Sequence, residues 1–347
     1  MSAPPTDCIR LSDPAALIAA VPHLLGFHPH DSVVLMALHG KKLGLTIRAD
    51  LVPIEHAGLL AEQLLLPMAR QRPTGVVSVV IGGELTAAGD PPYATLVGTI
   101  GGVFGSAGLP VVHATWAAAT AAGAPWRCYE DPLCAGTIVD PAATALAAAT
   151  VAAGAVTFRD REQLAAVLAA DEPGTLQRRA QLLDAADAEH PMSAELRARR
   201  LARLDELRRA AAAGHAELSD STVAEVVSAL GDHRVRDACL PWCTGTAADG
   251  AEQLWLALVR GTPAPHRAEP AALLALTAYL RGDGALAGLA LDAAQQASPD
   301  HSLSGLLRAA LEGGLPPEVL RTVAADATAA LRRRSGGVRR SRPRRKR

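Results

Sequence analysis

VPHLLGFHPHDS, residues 21–32, runs directly into VVLMAL, residues 33–38, and the reading of this junction decides the fold. Pro22, Gly26 and Pro29 predict a turn, because Pro fixes φ and Gly tolerates positive φ. The apolar run that follows predicts the first strand. The same turn gathers the densest set of polar groups in the amino-terminal half: His23, His28, His30, Asp31 and Ser32.

Upstream, Ser12-Asp13-Pro14 is a helix start, with a capping side chain before a Pro whose missing N–H costs little there. It predicts a short helix over Pro14 to Ala20 that ends at the turn. Downstream, Val33 to Leu38 and Leu43 to Ala49 alternate as strands joined by His39-Gly40-Lys41-Lys42, a hairpin. A helix is expected from about Glu55 to Arg72. VVSVVI, residues 76–81, is continuous, β-branched and bounded by Gly75 and Gly82, as expected of a strand covered on both faces. A helix from Pro92 to Ala107, a strand from Pro110 to Thr115 and a pairing segment Trp126 to Tyr129 complete the pattern. The order predicts an α/β fold, a mixed sheet with covering helices.

Beyond Phe158 strand signals almost vanish and helices succeed one another. Segments at Asp160–Ala170, Thr175–Glu189, Ser193–Ala213, Ser221–Leu230, Ala251–Val259, Ala271–Leu280, Ala285–Ala297, Ser302–Leu311 and Pro317–Arg332 predict an all-helical domain. ALAGLALDAAQQASP, residues 285–299, is similar to the second helix of a tetratricopeptide repeat. Since a solenoid needs about three such units and one copy is found, a single repeat-like helical hairpin is the expectation. The domain reading is residues 1–158 for the α/β domain, 159–331 for the helical domain and 332–347 for a basic disordered tail.

Four segments carry a family resemblance: Thr6 to Leu38, Trp126 to Gly136 (WRCYEDPLCAG), Gly154 to Leu168 (GAVTFRDREQLAAVL) and Pro270 to Pro317 with its LLALTAYLRGDGALAGLALDAA core. In these the chain resembles an actinobacterial domain-of-unknown-function family, number forty-one ninety-two. The resemblance implies membership but transfers no activity, substrate or catalytic residue. Members tend to have adjacent cysteines followed by Pro, where this chain reads Leu133-Cys134-Ala135.

The chain of 347 residues is long enough for two domains. Aromatic residues make up 3%, so Ala, Leu and Val must supply most of the core. The formal charge of -1 hides an asymmetry: of 34 Lys and Arg residues, ten lie between Arg332 and Arg347, which leaves 24 against 35 acids, a body of -11. The opening MSAPPTDCIRLSDP has no basic then apolar stretch, so no signal peptide is expected. The five cysteines are scattered, and a reducing cytoplasm is the expectation. Pro141 to Val156 is apolar but shorter than the roughly 20 residues of a membrane span, and predicts a buried helix.

No phosphate-binding glycine fingerprint, no G-x-S-x-G elbow and no H-E-x-x-H occurs, and no Lys lies between Lys42 and Lys346. No cofactor is therefore expected. Gly98, Gly101, Gly102 and Gly105 on one expected helix suggest close packing. Cys128 and Cys134 are separated by five residues and Cys239 and Cys243 by three. Only together could they supply four thiolates to zinc, and they fall in different expected domains, so no metal site is assigned.

The candidate ligand-binding residues are Phe27, His28, His30 and Asp31 of the turn, together with Asp50 at the end of the second strand, where open α/β sheets place ligand groups. Asp31 or Ser32 bonding to nearby backbone, and a salt-bridged Asp50, are the structural alternatives. Arg339, Arg340, Arg342, Arg344, Arg345, Lys346 and Arg347 are candidates for weak, salt-sensitive nucleic-acid or anion contact, or for folding back on the acidic body. The Arg-rich segment Glu195 to Ala213 interleaves Glu195, Asp205 and Glu206 and predicts a solvated face. The functional expectation is a cytoplasmic, non-catalytic module that binds a ligand or an unknown protein partner, with no membrane contact. The alternatives are an enzyme using His28, Asp31 and Asp50, and nucleic-acid association through the tail.

Overall fold

The computed structural model describes residues 13–187, 192–215 and 218–322. The chain divides after Leu164 into two compact units. The first opens with α1 (Pro14–Leu25), whose start is capped by Asp13, the carboxylate accepting from the Ala16 amide at 2.8 Å. α1 does not stop at Ala20 as the sequence suggested but passes through Pro22. One backbone donor is lost there, yet Ile18, Ala19, Ala20, Val21 and Leu25 are buried on both sides of it and hold the helix in one piece. Gly26, at φ 78°, ends it in the left-handed conformation. The bend is thus confined to residues 26–31.

From the bend the chain enters β1 (Ser32–His39), turns at Gly40-Lys41, and returns as β2 (Lys42–Asp50), with His39 opposite Lys42. There follow α2 (Ala57–Arg70), β3 (Gly75–Ile81), α3 (Ala94–Ser106), β4 (Val111–Ala117), β5 (Pro125–Cys128) and β6 (Ala135–Thr137). The sheet order is β2-β1-β3-β4-β5-β6; β3 and β4 run parallel and the other neighbours antiparallel. This is the mixed α/β sheet the sequence predicts, with β6 added. Its three residues, Ala-Gly-Thr, carry no strand signal of their own and are recruited by pairing with β5.

Val33, Leu35 and Ala37 of β1, Val76 and Val80 of β3, and Ala114 and Trp116 of β4 form one core with Leu60, Leu64 and Met68 of α2 and Leu96, Ile100 and Phe104 of α3. The intervening Val34, Met36, Val79 and Ile81 point to the opposite face by strand alternation and are buried as well. Burial on both faces is why these strands read as continuous apolar runs.

Two expectations fail in this unit. Pro141 to Val156 is not a buried helix: α4 (Ala145–Ala152) is short, buries Ala147, and leaves Val151 73% and Val156 63% exposed. A helix of eight residues that turns one small side chain inward, and packs against α1 and the turn at residues 141–143, leaves its remaining faces exposed. The glycines Gly98, Gly101, Gly102 and Gly105 of α3 do not mediate close packing either, since a Cβ built on any of them meets nothing within 4 Å.

The division between the units falls within α5 (Arg161–Ala166). The second unit contains α6 (Pro173–Asp187), α7 (Ala194–Ala212), α8 (Asp220–Gly231), α9 (His233–Cys239), α10 (Ala248–Gly261), α11 (Ala268–Arg281), α12 (Gly284–Ala297) and α13 (Ser302–Glu312). Residues 317–322 begin a further helix, and the rest of the expected segment to Arg332 lies outside the described residues. Side-chain caps set the starts: Ser193 for α7, Ser219 for α8, Asp232 for α9 and Asp283 for α12. α11 is buried almost throughout and pairs with α12 across Arg281-Gly282-Asp283, where Gly282 takes φ 95°. This pair is the repeat-like hairpin.

The Arg-rich α7 is only half solvated. Arg197 pairs with Asp232, Arg200 with Glu225 and Arg208 with Asp205, and the Arg208 guanidinium lies 5.6 Å from the centroid of the Trp242 ring. Asp232, Glu225 and the Trp242 ring, brought in from elsewhere in the helical unit, convert one side of a charged helix into a packing face. Among the described residues, no helix is long and apolar enough to cross a membrane.

Candidate functional site at the sheet rim

The carboxyl ends of the parallel strands β3 and β4, the start of β1 and the end of β2 share one rim. Ser32 stands opposite both Asp50 and Ile81 in the ladder, and the Gly82 amide donates to the Ala117 carbonyl at 3.0 Å. Sequence-distant residues 27–32, 48–51, 82–83 and 117–120 are thereby fixed along one edge, the place where open sheets expose ligand groups.

His28 is half-buried, and its Nδ1 lies 2.9 Å from the Thr120 hydroxyl, itself buried just past β4. Burial holds its pKa below the ordinary 6.5, with His23 adding to the effect and a hydrogen bond to the Thr120 backbone opposing it, so the ring is neutral near neutral pH. His30 is exposed, with Nδ1 3.7 Å from the Asp31 carboxylate. Asp31 takes φ 42°, and its carbonyl accepts from the Leu51 amide at 2.9 Å, which ties the bend to the end of β2.

Ser32 donates to the His30 carbonyl and accepts from Arg48 Nε at 2.8 Å; Arg48 in turn reaches Asp50 at 2.6 Å. Asp50 stands at the rim as a salt-bridged carboxylate with 78% side-chain exposure, open to a further partner. Phe27 is buried at 4% and is held against Phe158 through two backbone bonds, Phe158 N–H to Gly26 C=O at 2.8 Å and His28 N–H to Phe158 C=O at 3.0 Å. His28, His30, Asp31 and Asp50 are therefore brought to one edge, whereas Phe27 is a core residue that anchors the bend.

The rim contains further groups, of which the sequence did not single out Tyr93 and Thr120. Gly82 takes φ 109° and Gly83 φ 72°; a Cβ on Gly82 would meet Asp31 Oδ1 at 2.5 Å, and one on Gly83 would meet the Tyr93 ring at 2.9 Å. Tyr93 also has positive φ, 62°. The missing Cβ atoms let the Asp31 carboxylate and the Tyr93 ring lie directly on the backbone after β3. Gly82-Gly83 was visible in sequence, but which side chains close on it depends on the crossover. Thr120 carried no signal at all.

Cysteines form two separate sets. Cys128 and Cys134 are joined as a disulfide with a Cα–Cα distance of 5.4 Å, where scattered free thiols were expected, and His113 Nε2 lies 3.5 Å from Cys128 Sγ. Cys239 and Cys243 are free and buried in the helical unit, and burial raises both thiols, Cys243 to about 12.

In the helical unit a cavity of about 410 Å³ is lined by Asp171, Arg179, Gly214, Leu218, Val223, Ala257 and Arg260. Its buried cation is committed within the protein. Arg179 Nε donates to Asp220 at 2.8 Å, while Nη1 donates to Asp171 and to the Gly261 carbonyl, both at 2.9 Å. The tail residues Arg339, Arg340, Arg342, Arg344, Arg345, Lys346 and Arg347 lie outside the described residues.

The fold and rim define a two-unit protein, a mixed α/β sheet followed by a helical bundle. Residues 14–318 match the model of a domain of unknown function, DUF4192, and the chain belongs to that family. No curated protein and no solved structure matches it.

Proposed function

We propose that the chain is a cytoplasmic, non-catalytic binding module, whose α/β unit takes a small ligand at the rim of His28, His30, Asp31 and Asp50 while the helical unit engages a protein partner. One observation carries the reading: the rim concentrates the left-handed backbone of Asp31, Gly82, Gly83 and Tyr93 in one place. In the two that are not glycine, Asp31 and Tyr93, this conformation costs free energy and persists where the surroundings hold a site in shape. The rim offers two exposed carboxylates, one of them already neutralised by Arg48, the exposed imidazole of His30 and the half-buried one of His28. They suit a neutral or cationic ligand rich in hydrogen-bond donors.

Polyols, amines and nucleosides screened by thermal shift, with hits measured by titration calorimetry, test this. Binding lost in Asp31→Asn at an unchanged unfolding midpoint is the expected result. Binding unaltered by both Asp31→Asn and His28→Gln would remove the ligand from the rim. For the helical unit, a pull-down that recovers no partner from a chain of monomeric mass counts against the partner reading.

A second reading is favoured by the lowered pKa of His28, which supplies a neutral imidazole suited to general-base work. It requires that a rim ligand be turned over, with loss of turnover but not of binding in His28→Gln. The basic tail offers a third, sequence-blind contact to nucleic acid. Its deletion should abolish that binding, and rising salt should weaken it steeply.

A further inference from the structure

β4, β5 and the turn after β5 bring together three side chains that the rim does not use. His113, Cys128 and Cys134 each present a ligand atom, and these atoms all lie within 4.8 Å of one another. We propose that they form a redox-gated zinc site: the Cys128–Cys134 disulfide is the closed, metal-free form, and reduction by a dithiol opens a two-cysteine, one-histidine site for a single zinc ion.

The geometry suits the metal. Zinc bound tetrahedrally with Zn–S of about 2.3 Å and Zn–N of about 2.0 Å places sulfur and nitrogen about 3.6 Å apart. The His113 Nε2 to Cys128 Sγ distance is 3.5 Å. His113 and Cys128 sit on paired strands, with Thr115 opposite Cys128 and the Tyr129 amide donating to the Ala114 carbonyl at 3.1 Å.

The turn that carries Cys134 is closed by backbone bonds independent of sulfur. Cys128 N–H donates to the Cys134 carbonyl at 2.8 Å, Cys134 N–H to the Asp131 carbonyl at 3.0 Å, and Leu133 N–H to the Asp131 carboxylate at 2.9 Å. Breaking the disulfide therefore leaves both cysteines in place. Cys128 is buried and Cys134 half-buried, which gives the metal a sheltered seat with an open side. Two thiolates and a neutral imidazole exactly cancel the charge of a divalent ion, as a partly buried site requires.

The chemistry balances. A dithiol thiolate attacks the more accessible Cys134 sulfur and releases Cys128 as thiolate. Its second thiol resolves the mixed disulfide, so the dithiol leaves as a disulfide and the protein gains two electrons and two protons. Zinc then displaces both thiol protons as the two Zn–S bonds form, and His113 donates its ring lone pair. Among the described residues these are the three ligands, and the fourth position is left to water.

Cobalt titration of the full chain tests the site, since thiolate-bound tetrahedral cobalt has an intense visible spectrum that zinc bleaches by displacement. The chain reduced with a phosphine and freed of metal should bind one equivalent, and the oxidised chain none. Cys134→Ser should abolish the spectrum, and His113→Ala, which removes a direct ligand, should weaken binding by more than the roughly tenfold that loss of even an outer-shell partner costs. A Cys239→Ser, Cys243→Ser variant should bind as the parent does. Circular dichroism confirms that each variant is folded. Absence of a thiolate–cobalt spectrum in the reduced chain, its persistence in folded Cys134→Ser, or unchanged affinity in folded His113→Ala each overturns the proposal.

Discussion

Gly82 takes φ 109° with the Asp31 carboxylate 2.5 Å from where a Cβ would stand. Gly82→Ala must therefore strain the backbone and displace Asp31 together. A loss of about 2 kcal/mol is expected, within the range for one strained residue, read as a lower denaturant midpoint of the α/β unit. His28 sets a pH dependence whose sign follows from its depressed pKa. Below the ordinary 6.5 the unfolded chain takes up a proton that the folded ring resists, so stability is full above that pH and falls as pH drops toward the folded value. His28→Gln should flatten the fall, as seen in chemical unfolding followed from pH 7.5 to 5. The two imidazoles and the carboxylate of the bend were legible as candidates because they crowd six residues. The roles of Thr120 and Tyr93 were not, since each comes from a segment that meets the bend only through the sheet.

α3 illustrates a motif misread at the level of the element. Four glycines on one helix suggested close approach, but their Cβ positions face open space. Each then costs the helix about 1 kcal/mol of propensity relative to Ala and gains no contact. Gly102→Ala is expected to raise the stability of the α/β unit by about that amount, measured by thermal or denaturant unfolding. α1 shows the opposite error. Pro22 reads as a stop in sequence, yet tertiary burial of the residues around it outweighs one lost hydrogen bond. β1, β2 and β3 were legible because their apolar runs are long and their boundaries are marked by Gly. β6 was not, because three weak residues become a strand only when β5 offers them a ladder.

In the whole molecule, charge is used for packing as well as for solubility. Arg179 is buried, and it ties α6 to the start of α8, to the Asp171 segment and to the end of α10 through Asp220, Asp171 and Gly261. Arg179→Ala would leave the Asp171 carboxylate and the Gly261 carbonyl without this donor and Asp220 with Arg178 alone, and a loss of about 2 kcal/mol in the helical unit is expected, read as a lower denaturant midpoint. Arginine hydrogen bonds, from Arg178 and then Arg179, hold Asp220 below the usual carboxylate range. Its contribution is present above that range and lost as pH falls through the folded value. The acid-side decline of the helical unit should therefore be shallower in Arg179→Ala, as followed by circular dichroism.

Apart from β6 and α9, the order of strands and helices, the passage from a sheet to helices and the position of the bend were determined by the sequence itself. Periodicity, Gly and Pro punctuation and side-chain caps are local, and they act before any distant contact forms. The tertiary structure alone decided which distant groups meet: Thr120 on His28, Tyr93 and Asp31 over Gly82-Gly83, His113 beside Cys128, and Arg179 between two aspartates. Those encounters depend on strand register and crossover, which join residues tens of positions apart and leave no periodic trace in the chain.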